Sequence, residues 1–175
     1  MCGILASVGE YRFEEIPEAL LDRGIDDAGE YVDSDIQLMQ TRLQITGGDK
    51  IALPLQYEEY VLLFNGEIYN YKELNKNLTE FQFKYDSDFE TALYGFIKWG
   101  DSFVDRLDGQ YAMFIWNKLS KTHHIFTDPF KIKSVYKIEH EGSVIYSSNL
   151  LSMPHLSFQE TFATGYGNVS NAKIL

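Results

Sequence analysis

Only one of the 175 residues is a cysteine, so no disulfide can form within the chain and nothing marks an oxidising compartment. Long apolar runs are missing too: no stretch reaches the roughly 18 residues that a membrane-spanning helix needs. Positive charge is scarce, with 15 Lys and Arg against 26 Asp and Glu and a formal net charge of −11. Such a surface repels phosphate backbones and argues against a nucleic-acid partner. The opening Met-Cys-Gly-Ile-Leu-Ala-Ser-Val-Gly has no basic segment before an apolar one. It does not read as a signal peptide, and the default location is the cytoplasm. Repeats, low-complexity tracts and Pro- or Ser-rich linkers are also lacking, so residues 1–175 are expected to form a single domain.

What is present is a globular composition, 45% apolar and 15% aromatic, rich enough in apolar side chains to fill a core. Residues 3–8 read as a short buried strand. Residues 14–23 have helical spacing, with Ile16, Ala19 and Leu20 on one face, and a Gly- and Asp-rich loop follows over 23–29. Residues 36–45 and 60–65 read as strands, the second ending at Asn65-Gly66, a strong turn signal. A helix is predicted over 70–80. Another begins at Ser87, where Glu90 completes a capping-box pattern, with Leu93, Phe96 and Ile97 as its buried face and Gly100 as its stop. A short helical piece at 102–107 precedes strands at 110–117, 122–128, 134–139 and 143–148. Residues beyond 155, with Gly165 and Gly167, read as an extended tail. One strand, a few helices and a run of antiparallel strands give the α+β class.

The lone cysteine has two readings. In mid-chain it would be a small buried hydrophobe. At position two it has another use, because aminopeptidases remove Met1 before a small side chain and leave Cys2 with a free α-amine. That amine has an ordinary pKa of roughly 7.7–8.0 and stands beside the thiol by covalent geometry alone. It is therefore a usable general base for a nucleophile that is mostly thiol at neutral pH.

Several motifs occur in order: Met1-Cys2-Gly3-Ile4, Arg23-Gly24-Ile25-Asp26-Asp27-Ala28-Gly29, Arg42-Leu43, Phe64-Asn65-Gly66-Glu67-Ile68-Tyr69-Asn70-Tyr71, Ser87-Asp88-Phe89-Glu90 and Leu107-Asp108-Gly109-Gln110-Tyr111-Ala112. Together they resemble the class II glutamine amidotransferase domain, in particular the N-terminal half of glutamine-hydrolysing asparagine synthetases, over residues 1 to about 152. The resemblance implies the N-terminal nucleophile hydrolase fold, a four-layer αββα sandwich of two antiparallel sheets between helical layers. It implies that Cys2 attacks the side-chain amide of glutamine and that Asn65 and Gly66 form the oxyanion hole. Arg42 would bind the substrate carboxylate and Asp88 its ammonium, with Glu67 on the same wall. Arg23 and Leu43 would support the site, and the loop Thr46-Gly47-Gly48-Asp49 would lie over it. Without the resemblance, Asn65-Gly66 is a hairpin turn, Arg42 a strand-edge charge and Ser87-Asp88 a helix cap. No metal or cofactor is expected, since His123, His124, His140 and His155 lack ligand-like companions. Trp99 and Trp116 read as core packing.

The chain departs from the family in several places. It has no Ser-Gly-Gly-x-Asp-Ser loop and stops where relatives continue into an ammonia-consuming synthase domain. It is therefore expected to be either a free-standing glutaminase subunit, with the synthase on a separate partner protein, or an excised or truncated domain. Residues 127–137 lack the arginine, glycine and proline that stand at their own places in the family's version of this stretch, although Pro129 is present. Tyr146-Ser147-Ser148-Asn149 replaces a typical Ala-Ser-Glu, and Asp22 stands where a histidine is common. These changes read as divergence of the side that faces a synthase. Two alternatives stay open: a catalytically inactive regulatory or interaction subunit, and a hydrolase of another amide. The second would leave the charges of Arg42 and Asp88 without substrate partners.

Overall fold

The computed structural model describes residues 2–43, 51–85 and 87–154, and the backbone of 162–163. The expected loop at 46–49, His155, and Gly165 and Gly167 lie outside these residues. In chain order the elements are β1 (Gly3–Val8), α1 (Glu18–Leu21), β2 (Asp27–Val32), β3 (Ile36–Arg42), β4 (Leu55–Tyr57), β5 (Tyr60–Ile68), α2 (Tyr71–Asn75) and α3 (Asp88–Trp99). Next come β6 (Gly109–Asn117), β7 (Thr122–Thr127), β8 (Tyr136–His140), β9 (Ser143–Ser147) and β10 (Phe162–Ala163). Two 3-10 turns, Gly100–Arg106 and Leu150–Ser152, complete them.

The strands form a six-stranded sheet, β10-β8-β9-β1-β3-β2, and a four-stranded sheet, β4-β5-β6-β7. Every neighbouring pair is antiparallel. Side chains alternate along a strand, so each central strand feeds two cores. From the first sheet Ile4, Ala6, Val8, Ile36 and Leu38 meet Val61, Leu63, Phe114 and Trp116 of the second. On the far side of the second sheet, Leu62, Phe64, Met113 and Ile115 pack under Phe89, Leu93 and Phe96 of α3. On the far side of the first, Leu5 and Met39 cover Leu20 of α1. Helix, sheet, sheet, helix: this is the αββα sandwich the resemblance implies. Burial on both faces also explains why β1 and β3 read as nearly unbroken buried runs.

Several local expectations change. Asn65-Gly66 is no hairpin turn; β5 runs through it, with Asn65 opposite Ala112 and Gly66 opposite Tyr111. The glycine is there for space, since a Cβ at Gly66 would lie 2.2 Å from the Gln110 carbonyl oxygen. The helix expected over 14–23 shrinks to Glu18–Leu21, because Pro17 sits at its N-cap and turns Ile16 away from helical geometry. The helix over 70–80 stops at Asn75, whose side chain accepts a hydrogen bond from Thr91 Oγ1 at 2.6 Å. Ser87 caps α3 by accepting from Phe89 N, and Gly100 ends it with φ 60. Glu90, however, does not close a capping box: its two oxygens accept from Lys84 N and Tyr85 N, both at 2.8 Å. The 23–29 loop gives way at Asp27 to the edge strand β2, whose alternating half-buried pattern is hidden by its polar residues.

Candidate active site

Register decides what lies near Cys2. β1 and β3 pair with Gly3 opposite Thr41, so one step back along β1 brings Cys2 opposite Arg42. The thiol is buried and donates a long contact to the Leu43 carbonyl oxygen, 3.9 Å away. Gly3 N donates to Thr41 Oγ1 at 3.1 Å, and Thr41 Oγ1 donates to Leu20 O at 2.8 Å. The start of β1 is thereby tied to both β3 and α1.

Alternation supplies the other residues. Gln40 and Arg42 share the face of β3 that carries Ile36 and Leu38, and Asn65 shares the face of β5 that carries Val61 and Leu63. Both faces look into the space between the sheets. At one end of that space the apolar filling stops and these polar side chains take over. Asn65 is 1% exposed, and its side-chain nitrogen has no hydrogen-bond partner among the described residues. Unpaired buried donors are rare because each costs roughly 1–3 kcal/mol.

Asp88 enters from the helical layer. It opens α3, and its carboxylate accepts from Ile68 N at 2.9 Å, fastening the helix to the end of β5. The Arg42 guanidinium lies 6.0 Å from the ring centre of Phe89, the next residue. Arginine and aspartate thus reach the site from opposite layers. Burial pushes the Asp88 carboxyl up to about 6, and the charge of Glu67 adds to the rise against the hydrogen bonds from Ile68 and Ser87. Burial likewise raises the Cys2 thiol, while the field of Arg42 lowers it and that of Asp88 raises it. Arg23 sits behind the nucleophile and donates to Ser148 O at 2.6 Å. Burial lowers its pKa, and Cys2 is among the groups whose field opposes that.

The structure therefore brings Cys2, Arg42, Leu43, Asn65, Gly66, Glu67 and Asp88 to one end of the sandwich, with Arg23 as a brace. Four contributors were not legible. Gln40 is fully buried and bonds to the backbone of Phe64, just before Asn65; its place in the Ile36–Leu38 alternation was the available signal. Glu90 holds the loop leading into Asp88. Ser147 and Ser148, expected on a synthase-facing side, instead point inward: Ser147 Oγ donates to Ile4 O and Ile4 N donates to Ser148 Oγ, each at 3.1 Å. Asp128 is also buried, accepting from the N–H groups of Tyr111, Phe130, Ile132 and Lys133. Its loop leaves Phe130 and Ile132 exposed. Among the described residues no three His, Cys, Asp or Glu side chains are grouped to ligate a metal.

Residues 1–164 match the sequence profile of the glutamine amidotransferase domain family. The chain belongs to that family. Within it, this amidotransferase domain is similar to asparagine synthetase [glutamine-hydrolyzing] 1 of Bacillus subtilis, 32% identical over 148 residues that cover 82% of this chain and 23% of the relative. It is 34% identical over 164 residues to a probable asparagine synthetase [glutamine-hydrolyzing] of Dictyostelium discoideum, covering 86% of this chain and 29% of that one. The chain thus spans about a quarter of the length of these relatives. Among solved structures, the allosteric regulatory enzyme of purine biosynthesis superposes with a TM-score of 0.73 at 16% identity, over 86% of this chain and 42% of that one. The glutamine phosphoribosylpyrophosphate amidotransferase of B. subtilis superposes with a TM-score of 0.67 at 17% identity, with the same coverage. At such identities the likeness concerns the fold. The amidotransferase domain has the N-terminal nucleophile hydrolase sandwich.

Proposed function

We propose that this domain hydrolyses the side-chain amide of free L-glutamine, with Cys2 as its nucleophile once Met1 is removed, and that the ammonia goes to a synthase on a separate partner protein. The observation that carries this reading is the buried Asn65 side-chain nitrogen, a donor without a partner among the described residues. It faces the same inter-sheet space as Arg42, across from Cys2. A donor held unpaired in a buried site is positioned for charge that exists only during reaction.

The chemistry then runs as follows. The Cys2 α-amine takes the thiol proton, and the sulfur bonds to the amide carbon of glutamine. The carbonyl electrons move onto oxygen, which Asn65 Nδ2 and Gly66 N–H receive. Collapse breaks the carbon–nitrogen bond; the protonated amine returns its proton and ammonia leaves, with a thioester on Cys2. Water then adds with the amine as base, the carbon–sulfur bond breaks, and glutamate and free thiol result. Arg42 grips the α-carboxylate through its planar fork of donors. Asp88, beside Glu67, takes the α-ammonium. A free amino acid brings a carboxylate for Arg42 and an ammonium for Asp88, and a glutamine within a protein chain brings neither, so the pair favours free glutamine.

The test is turnover of glutamine by untagged protein with a mature N-terminus verified by mass spectrometry. Cys2→Ala is expected to abolish glutamate release while preserving cooperative unfolding. Undiminished release by Cys2→Ala would overturn the mechanism. A folded wild-type protein with Met1 removed that releases no glutamate, with or without the partner it captures from its native extract, would leave the inactive interaction subunit as the reading.

A further inference from the structure

We infer that Gln40 is a positioning residue that sets the oxyanion donor Asn65 against the nucleophile, an inference that rests on the glutaminase reading. Gln40 is fully buried, on the same face of β3 as Ile36 and Leu38. Its Nε2 donates to the Phe64 carbonyl oxygen at 2.9 Å, and its Oε1 accepts from Phe64 N at 3.3 Å. One side-chain amide thus binds both backbone groups of a residue in the opposite sheet, as a neighbouring strand would.

The topology explains why a side chain does this. On one edge β5 is paired with β6 along its whole length, from Tyr60 to Ile68. On the other edge β4 covers only Tyr60 to Leu62. Past Leu62 that edge has no strand partner among the described residues, and Phe64 would carry buried backbone groups without bonds. Gln40 completes the ladder at that point. The carbonyl it binds belongs to the peptide that joins Phe64 to Asn65, so it orients the backbone from which the Asn65 side chain hangs.

Gln40 is equally well referenced to the nucleophile. It pairs with Ile4 on β1, two residues after Cys2, and lies two residues before Arg42 on its own strand. Among the described residues, Asn65 Nδ2 has no hydrogen bond of its own to hold it, so its aim depends on its backbone. An apolar residue would fill the core at position 40, as Ile36 and Leu38 do at 36 and 38. The amide adds geometry across the two sheets, and misplacements of about 1 Å near a reacting centre cost on the order of 100-fold in rate.

The experiment compares Gln40→Met, which keeps volume and loses both bonds, with Gln40→Asn, which stays polar but is too short to make both. Each is measured for kcat, for KM, and for the Asn65 side-chain amide resonances in a nitrogen-15 NMR spectrum of the whole chain. We expect kcat to fall about 10- to 100-fold with KM within about threefold, because Arg42 and Asp88 are untouched, and the Asn65 resonances to shift. Gln40→Glu, which when protonated offers the same donor and acceptor, should recover most of kcat. A folded Gln40→Met or Gln40→Asn with unchanged kcat and unmoved Asn65 resonances overturns the inference, as does a loss of melting temperature alone. If Gln40→Met does not fold, Gln40→Asn decides by the same criteria. If the wild-type protein releases no glutamate, the glutaminase reading has failed, and the Asn65 resonances still decide whether Gln40 positions that side chain.

Discussion

Two aspartates at opposite ends of the sandwich have opposite fates. Asp33 lies where β2 turns into β3. Its carboxylate accepts from Asp35 N, Ile36 N, Tyr31 Oη and Trp116 Nε1, and Lys121 stands 3.5 Å away. Burial would raise its pKa, yet those donors and the lysine together hold it below the ordinary value. Asp88, at the other end, is more deeply buried and is pushed up to about 6. One end spends its polar groups on one another, tying the sheets by the Trp116–Asp33 bond. The other keeps a carboxylate whose hydrogen bonds do not offset its burial, and an asparagine nitrogen without a partner among the described residues. The first pattern stabilises a fold; the second leaves capacity for a ligand.

The sharpest way to break this contrast is Asn65→Ala. It should lower kcat by about 100- to 1,000-fold, roughly 2.7–4 kcal/mol of transition-state stabilisation. A kcat within tenfold of wild type in steady-state assays would remove Asn65 from the oxyanion hole. Next is Asp88→Asn, which should raise KM for glutamine by about 30-fold or more, since a charged hydrogen bond is worth roughly 1.5–3 kcal/mol. The same variant should gain stability at neutral pH, by up to about 3 kcal/mol in denaturant titration. An Asp88→Asn variant that keeps the wild-type KM, or that loses stability at neutral pH, would refute the assignment.

The two ends also differ in pH dependence. Asp88 has a folded pKa above its unfolded value, so its ionised form weakens the fold above about pH 6, and acidification toward pH 4 relieves that penalty. Asp33 has a folded pKa below its unfolded value; its contribution is present above about pH 4 and is lost as pH falls through the lower folded value. In wild-type protein KM should therefore climb below about pH 6, by as much as tenfold per pH unit, and that climb should be absent from Asp88→Asn. The smallest expected effect belongs to Asp33→Ala. It should cost roughly 1–3 kcal/mol of stability while leaving kcat and KM within about twofold. A kinetic defect there would mean that the two ends are coupled.

The sequence carried much of this site because its motifs lie on strands whose faces follow from alternation. Cys2, Arg42, Asn65 and Asp88 could each be named from their motifs, and the structure brings them together. What stayed hidden depends on pairing across sheets. The Asn65-Gly66 step has the composition of a hairpin turn, but the long ladder with β6 outweighs the local preference and carries β5 through it. Gln40 looked like one polar residue in a strand, because its partner lies 24 residues away in the other sheet. Ser147 and Ser148 lie in a stretch that read as having lost an acidic residue of a synthase-facing side, and only the pairing of β9 with β1 reveals that they close around Ile4. Glu90 followed a local capping rule and was drawn instead to the loop before the helix.

Burial of β5 on both faces has a consequence for accuracy in folding. Phe64 and Asn65 are adjacent, one turned to α3 and the other to the opposite sheet, and both are almost fully buried. A slip of one residue along β6 would exchange them, presenting an aromatic ring where the reaction needs a donor. Apolar packing alone would discriminate weakly against that mistake, because the strand is greasy on either side. A shifted molecule would present no Asn65 donor to the site, so misalignment of β5 on β6 would lower the fraction of active molecules after refolding.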